Sequence, residues 1–268
     1  LKCEKCINKY PIINGIPRLC IELNNSEKDK LKRFEKNQVS FIKGENELNT
    51  KIDYVEIEKI VRQKMSVDSN SCDYLKAWVE RNIEYKVWGC EKEEKYVKTL
   101  KQYYHKPIEV ILDIGGGSGG LIKCFSDLYT PILSIMLDYD LDWAEVAKLR
   151  NPNVDIVRGD ATNLPFKRNS IDLVISQAML EHIKDYDNAI KEMCEVAKNV
   201  SFIAWNPNKL FVFDFGHLDA PVAIFPKKIA KYIAIWWHRI RRTGRTEENI
   251  IGSLNVIHYI STVRANSA

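Results

Sequence analysis

An acidic residue running straight into glycines, Asp113-Ile114-Gly115-Gly116-Gly117-Ser118-Gly119-Gly120, is the part of the chain best suited to holding a ligand. Gly115, Gly117 and Gly119 permit positive φ and let a ligand reach the backbone with no Cβ in the way. The apolar run Leu121, Ile122, Phe125 and Leu128 that follows reads as a helix, whose first turn offers free amide N–H groups. Gly115-x-Gly117-x-x-Gly120 also fits a dinucleotide fingerprint, and a tight turn with no ligand is the plain alternative. Asp113 bears on the choice. A carboxylate there would repel a pyrophosphate, but it suits an amino group such as that of a methionine moiety. Asp138, at the end of the next apolar run, is placed to bond ribose hydroxyls, with Asp140 two residues on as the alternative. Nicotinamide sites use the same device, so this carboxylate indicates a nucleoside without saying which.

Further along stand Gly159-Asp160-Ala161-Thr162-Asn163-Leu164-Pro165-Phe166, then Ser170-Ile171-Asp172-Leu173-Val174-Ile175-Ser176-Gln177, then Leu180-Glu181-His182. His182 is the obvious titratable group near the expected pocket, since its free pKa lies near neutrality. It is a candidate general base, with packing at a strand mouth as the alternative; Glu181 and Asp185 are weaker candidates.

In order and spacing, the segments from Asp113 to His182 resemble the type 11 class I S-adenosylmethionine (SAM)-dependent methyltransferases. That group includes the ubiquinone and menaquinone C-methyltransferases. The resemblance implies that SAM is the methyl donor and that Asp113, Gly115, Gly117, Gly119 and Asp138 form its binding loop and ribose site. It further implies that Asp160 bonds the adenine amino group, that the Ala161 amide faces a ring nitrogen, and that Gln177 lies beside the methyl. No metal is required for that chemistry. A SAM-binding but non-catalytic partner subunit is one alternative, and a nicotinamide-dependent oxidoreductase is another.

Such residues need a scaffold of strand ends and helix starts. The β-rich runs Ile108–Asp113, Ile132–Asp138, Val154–Arg158, Ile171–Ser176 and Val200–Trp205 alternate with helical stretches such as Tyr186–Lys198. That alternation predicts an α/β, doubly wound Rossmann-like sheet with its ligand beyond the carboxyl strand ends. Four regions are expected: a partial zinc-ribbon-like segment (1–25), a helical N-terminal segment (26–106), the SAM-binding core (107–205) and an acceptor-side lid (206–268). Ser26 and Ser71 are candidate helix caps.

Composition narrows the partners. The net charge of +4 is small, yet Lys227, Lys228, Lys231, Arg239, Arg241, Arg242 and Arg245 cluster with no acidic residue among them. On a helical wheel, residues 226–242 put Ile229, Tyr232, Ile233, Trp236, Trp237 and Ile240 on one face. This predicts a lid helix or a peripheral contact with an anionic membrane. No apolar run reaches the length of a membrane span, so a cytoplasmic protein, with or without membrane association, is expected. The segment Ser176-Gln177-Ala178-Met179 lacks the Pro-Pro-aromatic pattern of base amino-methylation, and no Pro-Cys pair serves cytosine C5 chemistry. Nucleic acid is thereby disfavoured, and a small-molecule or lipid-linked acceptor is expected.

Cys3-x-x-Cys6 with Tyr10-Pro11-Ile12-Ile13-Asn14-Gly15-Ile16-Pro17 resembles the second half of a zinc ribbon. A tetrahedral site needs four ligands, so zinc is expected only if the missing pair is supplied. Cys20 offers a third ligand at most. Both ends read as truncated, with the first cysteine pair and the last strands of the sheet missing.

Overall fold

The computed structural model describes residues 12–13, 15–19, 54–65, 73–88, 91–206, 213 and 218–256. A parallel sheet of β3 (Val110–Ile114), β4 (Leu133–Asp138), β5 (Asp155–Arg158), β6 (Ile171–Gln177) and β7 (Ala197–Ala204) forms its centre, in the order β5-β4-β3-β6-β7. Each expected strand is present within a few residues of its predicted bounds. β7 begins at Ala197 instead of Val200 because α6 (Tyr186–Val196) runs into it without a loop, and Ile171 pairs with Ala197 across a register shift. The chain winds outward through β3, β4 and β5, then returns to β6 on the other side of β3. That reversal puts a crevice at the carboxyl end of β3.

Strand alternation sorts the side chains into two layers. Ile111 faces Leu121, Ile122 and Phe125 of α4 (Gly120–Tyr129) and Ala144 and Ala147 of α5 (Leu141–Arg150). Leu112 and Ile114 face Ala189, Met193 and Val196 of α6. Helices therefore cover both faces, as doubly wound topology requires, and Asp113 shares the α4 side with Ile111. Asp172 ties β6 to the start of β3, accepting at 3.0 Å from the Glu109 and Val110 amides.

Upstream, α1 (Tyr54–Lys64) and α2 (Asp73–Trp88) bury Ile57, Val61, Val79, Ile83 and Val87 against Val146 of α5. α3 (Glu91–Tyr103) packs Val97 and Leu100 into the α4 layer. These three helices fall within the segment expected to be helical; Ser26 and Ser71 lie outside the described residues. A short hairpin, β1 (Ile12–Ile13) and β2 (Ile16–Pro17), reaches the sheet edge, where the Leu19 amide donates to the Arg158 carbonyl at 2.9 Å.

At the other end, α7 (Lys227–Ile240) packs on α8 (Glu247–Val256) around Leu218, Ala220, Val222, Ala230, Ala234, Ile250 and Leu254. The predicted apolar face divides. Ala230, Ala234 and His238 turn inward, Ile233 and Trp237 are half-buried, and Ile229, Tyr232, Trp236 and Ile240 remain exposed. Small residues allow close helix approach, and the Trp237 indole is held inward by donating to the Asp219 carbonyl at 2.9 Å. Residues 257–268, where further strands were expected to be missing, lie outside the described residues.

Candidate functional site

β3 delivers Asp113 and then breaks into the glycine turn. The Gly115 amide donates to the Leu137 carbonyl at 2.8 Å, which anchors the turn to β4. Gly115, Gly117 and Gly119 all have positive φ (71°, 55° and 77°), conformations that suit glycine. At Gly115 a Cβ would also strike the Met179 Cγ at 2.2 Å. At Gly117 nothing lies within 4 Å of that position, because the backbone there opens onto a cavity of about 770 Å³.

The cavity brings together Asp113, Gly115, Gly117, Asp138, Asp160, Ala161, Gln177 and His182. Of the predicted site residues in the core, Gly119 alone is not in its lining; it is the N-cap of α4, and a Cβ there would collide with the Asn151 side chain. Asp113 is fully buried, and neither carboxylate oxygen makes a hydrogen bond of normal geometry. Burial chiefly, with repulsion from Asp138 and Glu93, pushes its pKa up to about 8 against the pull of the Ile122 amide.

Asp138 is held differently. One oxygen accepts from the Gly117 amide and the other from the Asp140 amide, each at 2.8 Å. Burial raises its pKa, and those two amides partly offset the effect. Asp140 is committed elsewhere: it caps α5 by accepting from the Asp142 and Trp143 amides, and it pairs with Lys64 at 2.7 Å. Asp160 Oδ1 accepts from the Thr162 amide and hydroxyl at 2.8 Å each, which fixes its rotamer. Gln177 ends β6, half-exposed. His182 closes a single 3₁₀ turn, Leu180–His182, and stands exposed at the cavity's mouth.

One wall was not foreseen. Tyr85 and Lys86 of α2 and Glu93 of α3 line the same cavity. The Tyr85 hydroxyl donates to Glu93, whose pKa is raised chiefly by burial. Lys86 is desolvated, which lowers its pKa, and its ammonium lies 4.3 Å from the Trp143 ring centroid. Arg150 anchors this wall by donating to the Lys86 carbonyl at 2.7 Å and to the Ser118 hydroxyl at 3.3 Å. Helical periodicity shows which face of α2 is apolar, but not that the helix end meets a loop some 30 residues on; no local signal could have found these residues.

Among the described residues no group of three or more His, Cys, Asp or Glu is arranged to hold a metal ion. Cys3, Cys6 and Cys20 lie outside the described residues. No residue of α7 or α8 is in the cavity lining. No helix among the described residues is long and apolar enough to cross a membrane.

Residues 112–204 match the family profile described as "Methyltransferase domain". A demethylmenaquinone methyltransferase of Renibacterium salmoninarum is 32% identical over 111 residues, which span 41% of this chain and 43% of that protein. The ubiquinone/menaquinone biosynthesis C-methyltransferase UbiE of Hahella chejuensis is 34% identical over 119 residues, 42% of this chain and 45% of its own length. The chain thus spans less than half of the length of these curated relatives. Among solved structures, a protein of Methanococcus maripaludis described as an S-adenosyl-L-methionine-dependent methyltransferase aligns with TM-score 0.43 and 18% identity. That alignment covers 80% of this chain and 86% of the other.

Proposed function

We propose that this chain, whose residues 112–204 form a class I methyltransferase domain, transfers a methyl group from SAM to a small-molecule or lipid-linked acceptor. Asp113 is the observation that carries the reading. A wholly buried carboxylate beneath the glycine turn, with no hydrogen bond of normal geometry, favours a cationic amino group and disfavours a pyrophosphate. The acidic trio Asp113, Asp138 and Glu93 makes the same demand, since a cationic ligand relieves their mutual repulsion.

The residues fit SAM in detail. Asp113 would take the amino group, and Lys86 is placed to take the carboxylate of the amino-acid moiety. Asp138 keeps free lone pairs for the ribose hydroxyls, whereas Asp140 is occupied as a cap and an ion-pair partner. Asp160 and Ala161 would bond the adenine edge, and Gln177 would border the methyl. Bound there, SAM would supply an electrophilic methyl on its sulfonium. The protein's part is to orient the acceptor in line and to exclude water. His182, at the mouth, would accept any proton the acceptor must lose.

S-adenosylhomocysteine should raise the thermal midpoint, with a gain of about 2.7 kcal/mol at 100-fold excess over Kd. A shift with NADH and none with S-adenosylhomocysteine would overturn the reading. Binding without turnover of SAM on quinol-like acceptors would point instead to a non-catalytic SAM-binding partner. The Cys3–Cys6 half-site stands as a proposal, and so does the acceptor-side lid role for the part of 206–268 outside α7 and α8. Zinc content measured before and after adding a peptide with a second Cys-x-x-Cys pair tests the first.

A further inference from the structure

α7 is turned the wrong way round for a helix that only braces the fold. Its inward side is lined by Ala230, Ala234 and His238, while larger apolar residues face solvent. Ile229, Tyr232, Trp236 and Ile240, spaced by three and four residues, are 50%, 70%, 60% and 60% exposed. Ile224 and Phe225, just before the helix, are exposed as well. Single exposed apolar residues are ordinary, but a continuous row of this kind marks a contact surface. It is not the cavity's roof, since no α7 residue lines the cavity.

Charge says what the surface fits. From Pro226 to Arg245 there is no acidic residue. Lys228 and Arg239 are exposed and, at 100° per residue, project beside Tyr232 on the flank of the stripe; Arg241 and Arg242 follow the helix end, also exposed. A second copy packed through a two-fold axis would set this basic flank against itself, and the next acids along the chain, Glu247 and Glu248, stand on α8, where Glu247 already pairs with Lys231 at 3.0 Å. An anionic lipid surface has the complementary charge, and Trp and Tyr prefer the boundary between headgroups and acyl chains. Fourteen residues of helix are too short to span the hydrocarbon core, so the helix would lie in the interface plane.

We propose that α7 seats the chain on anionic bilayers, with Ile229, Tyr232, Trp236 and Ile240 entering the interface and Lys228, Arg239 and Arg242 contacting headgroups. The docking uses no cavity residue, so it stands or falls separately from methyl transfer. It also deepens the lipid-linked reading of the acceptor, because it would hold the enzyme where such a molecule resides.

The test is flotation of the full chain with vesicles of phosphatidylcholine alone or mixed with phosphatidylglycerol, at about 0.1 M and about 1 M salt, where the Debye length falls from about 10 to about 3 Å. Binding to the mixed vesicles at low salt, weakening with salt, is expected. Replacing Lys228, Arg239 and Arg242 together by Gln should lower the partition coefficient roughly 100-fold. Trp236→Ser should weaken binding to every vesicle, and brominated lipid should quench the wild type more than Trp236→Phe. The S-adenosylhomocysteine midpoint shift, read in parallel, should be unchanged in all variants, since these side chains are exposed and outside the cavity lining. No binding to mixed vesicles at low salt, or binding indifferent to these substitutions, overturns the proposal. A wild-type dimer that Trp236→Ser renders monomeric, without vesicle binding, would assign the stripe to a second copy instead.

Discussion

The buried state of Asp113 makes ligand binding a pH-dependent event. With its pKa pushed up to about 8, mainly by burial, the carboxyl of the empty protein is largely protonated at about pH 6. A cationic amino group placed against it favours the ionised form, so binding near pH 6 must release close to one proton. If the neutral form does not bind, the apparent dissociation constant scales as one plus the ratio of protonated to ionised Asp113. It should then fall roughly 50-fold between about pH 6 and about pH 8. Asp138 is also raised, so the two carboxyls titrate as a coupled pair and the change will be broader than for one group. Titration calorimetry with S-adenosylhomocysteine, in buffers of differing ionisation enthalpy, measures both affinity and proton count. Asp113→Asn should bind weakly and without the pH dependence. Stability carries the opposite sign. A carboxyl whose folded pKa is raised leaves stability intact below its unfolded value and costs increasingly as pH rises towards the folded one. The ligand-free Asn variant should therefore be more stable than the wild type above about pH 8. An affinity that is flat across this range with no proton released, and matched by Asp113→Asn, would refute the assignment of the amino-group site.

The neighbouring groups give sharper contrasts. Asp138→Ala should weaken S-adenosylhomocysteine binding by about 1.5–3 kcal/mol, whereas Asp140→Ala should mainly lower stability, by about 1 kcal/mol for the lost cap. The reverse pattern, read by calorimetry and thermal melts, would transfer the ribose role to Asp140. Lys86→Met removes the ammonium over the Trp143 ring, so it should cost roughly tenfold in affinity and lower stability by about 0.5–1 kcal/mol for the lost cation–π contact. His182→Gln should leave S-adenosylhomocysteine affinity intact and lower kcat by about 10²-fold if the acceptor must lose a proton. Unchanged kcat would reduce His182 to a residue of the cavity's rim.

Legibility tracked distance along the chain. Asp113, Asp138, Asp160 and Gln177 sit at or just beyond the carboxyl ends of β3, β4, β5 and β6, and alternation locates strand ends from local pattern alone. The glycine turn was readable for the same reason, since positive φ at Gly117 and crowding at Gly115 are local demands. Sequence pattern alone does not separate Asp138 from Asp140; what distinguishes them is that Asp140 caps α5 and holds Lys64. Tyr85, Lys86 and Glu93 were invisible because α2 and α3 reach the glycine turn by tertiary packing through Arg150. The orientation of α7 stayed open in the sequence for a related reason. Amphipathic wheels assume that the larger side chains face the core, and here a small-residue interface with α8 takes that side.

This division has a chemical consequence. Everything that would grip the nucleoside and the amino group comes from residues 113–177, within the stretch matched by the family profile. The wall formed by Tyr85, Lys86 and Glu93, and the surface formed by α7, come from outside it. A SAM site constrains its strand ends tightly, because the ligand is the same in every member. The elements that cover it answer to whatever acceptor or surface each protein meets, and packing of many kinds can place them. The family profile runs from residue 112 to 204, so it covers these donor-side residues and His182 but none of α2, α3 or α7. An acceptor would enter at the cavity's mouth, where His182 stands beside the wall that α2 and α3 add from outside the profile.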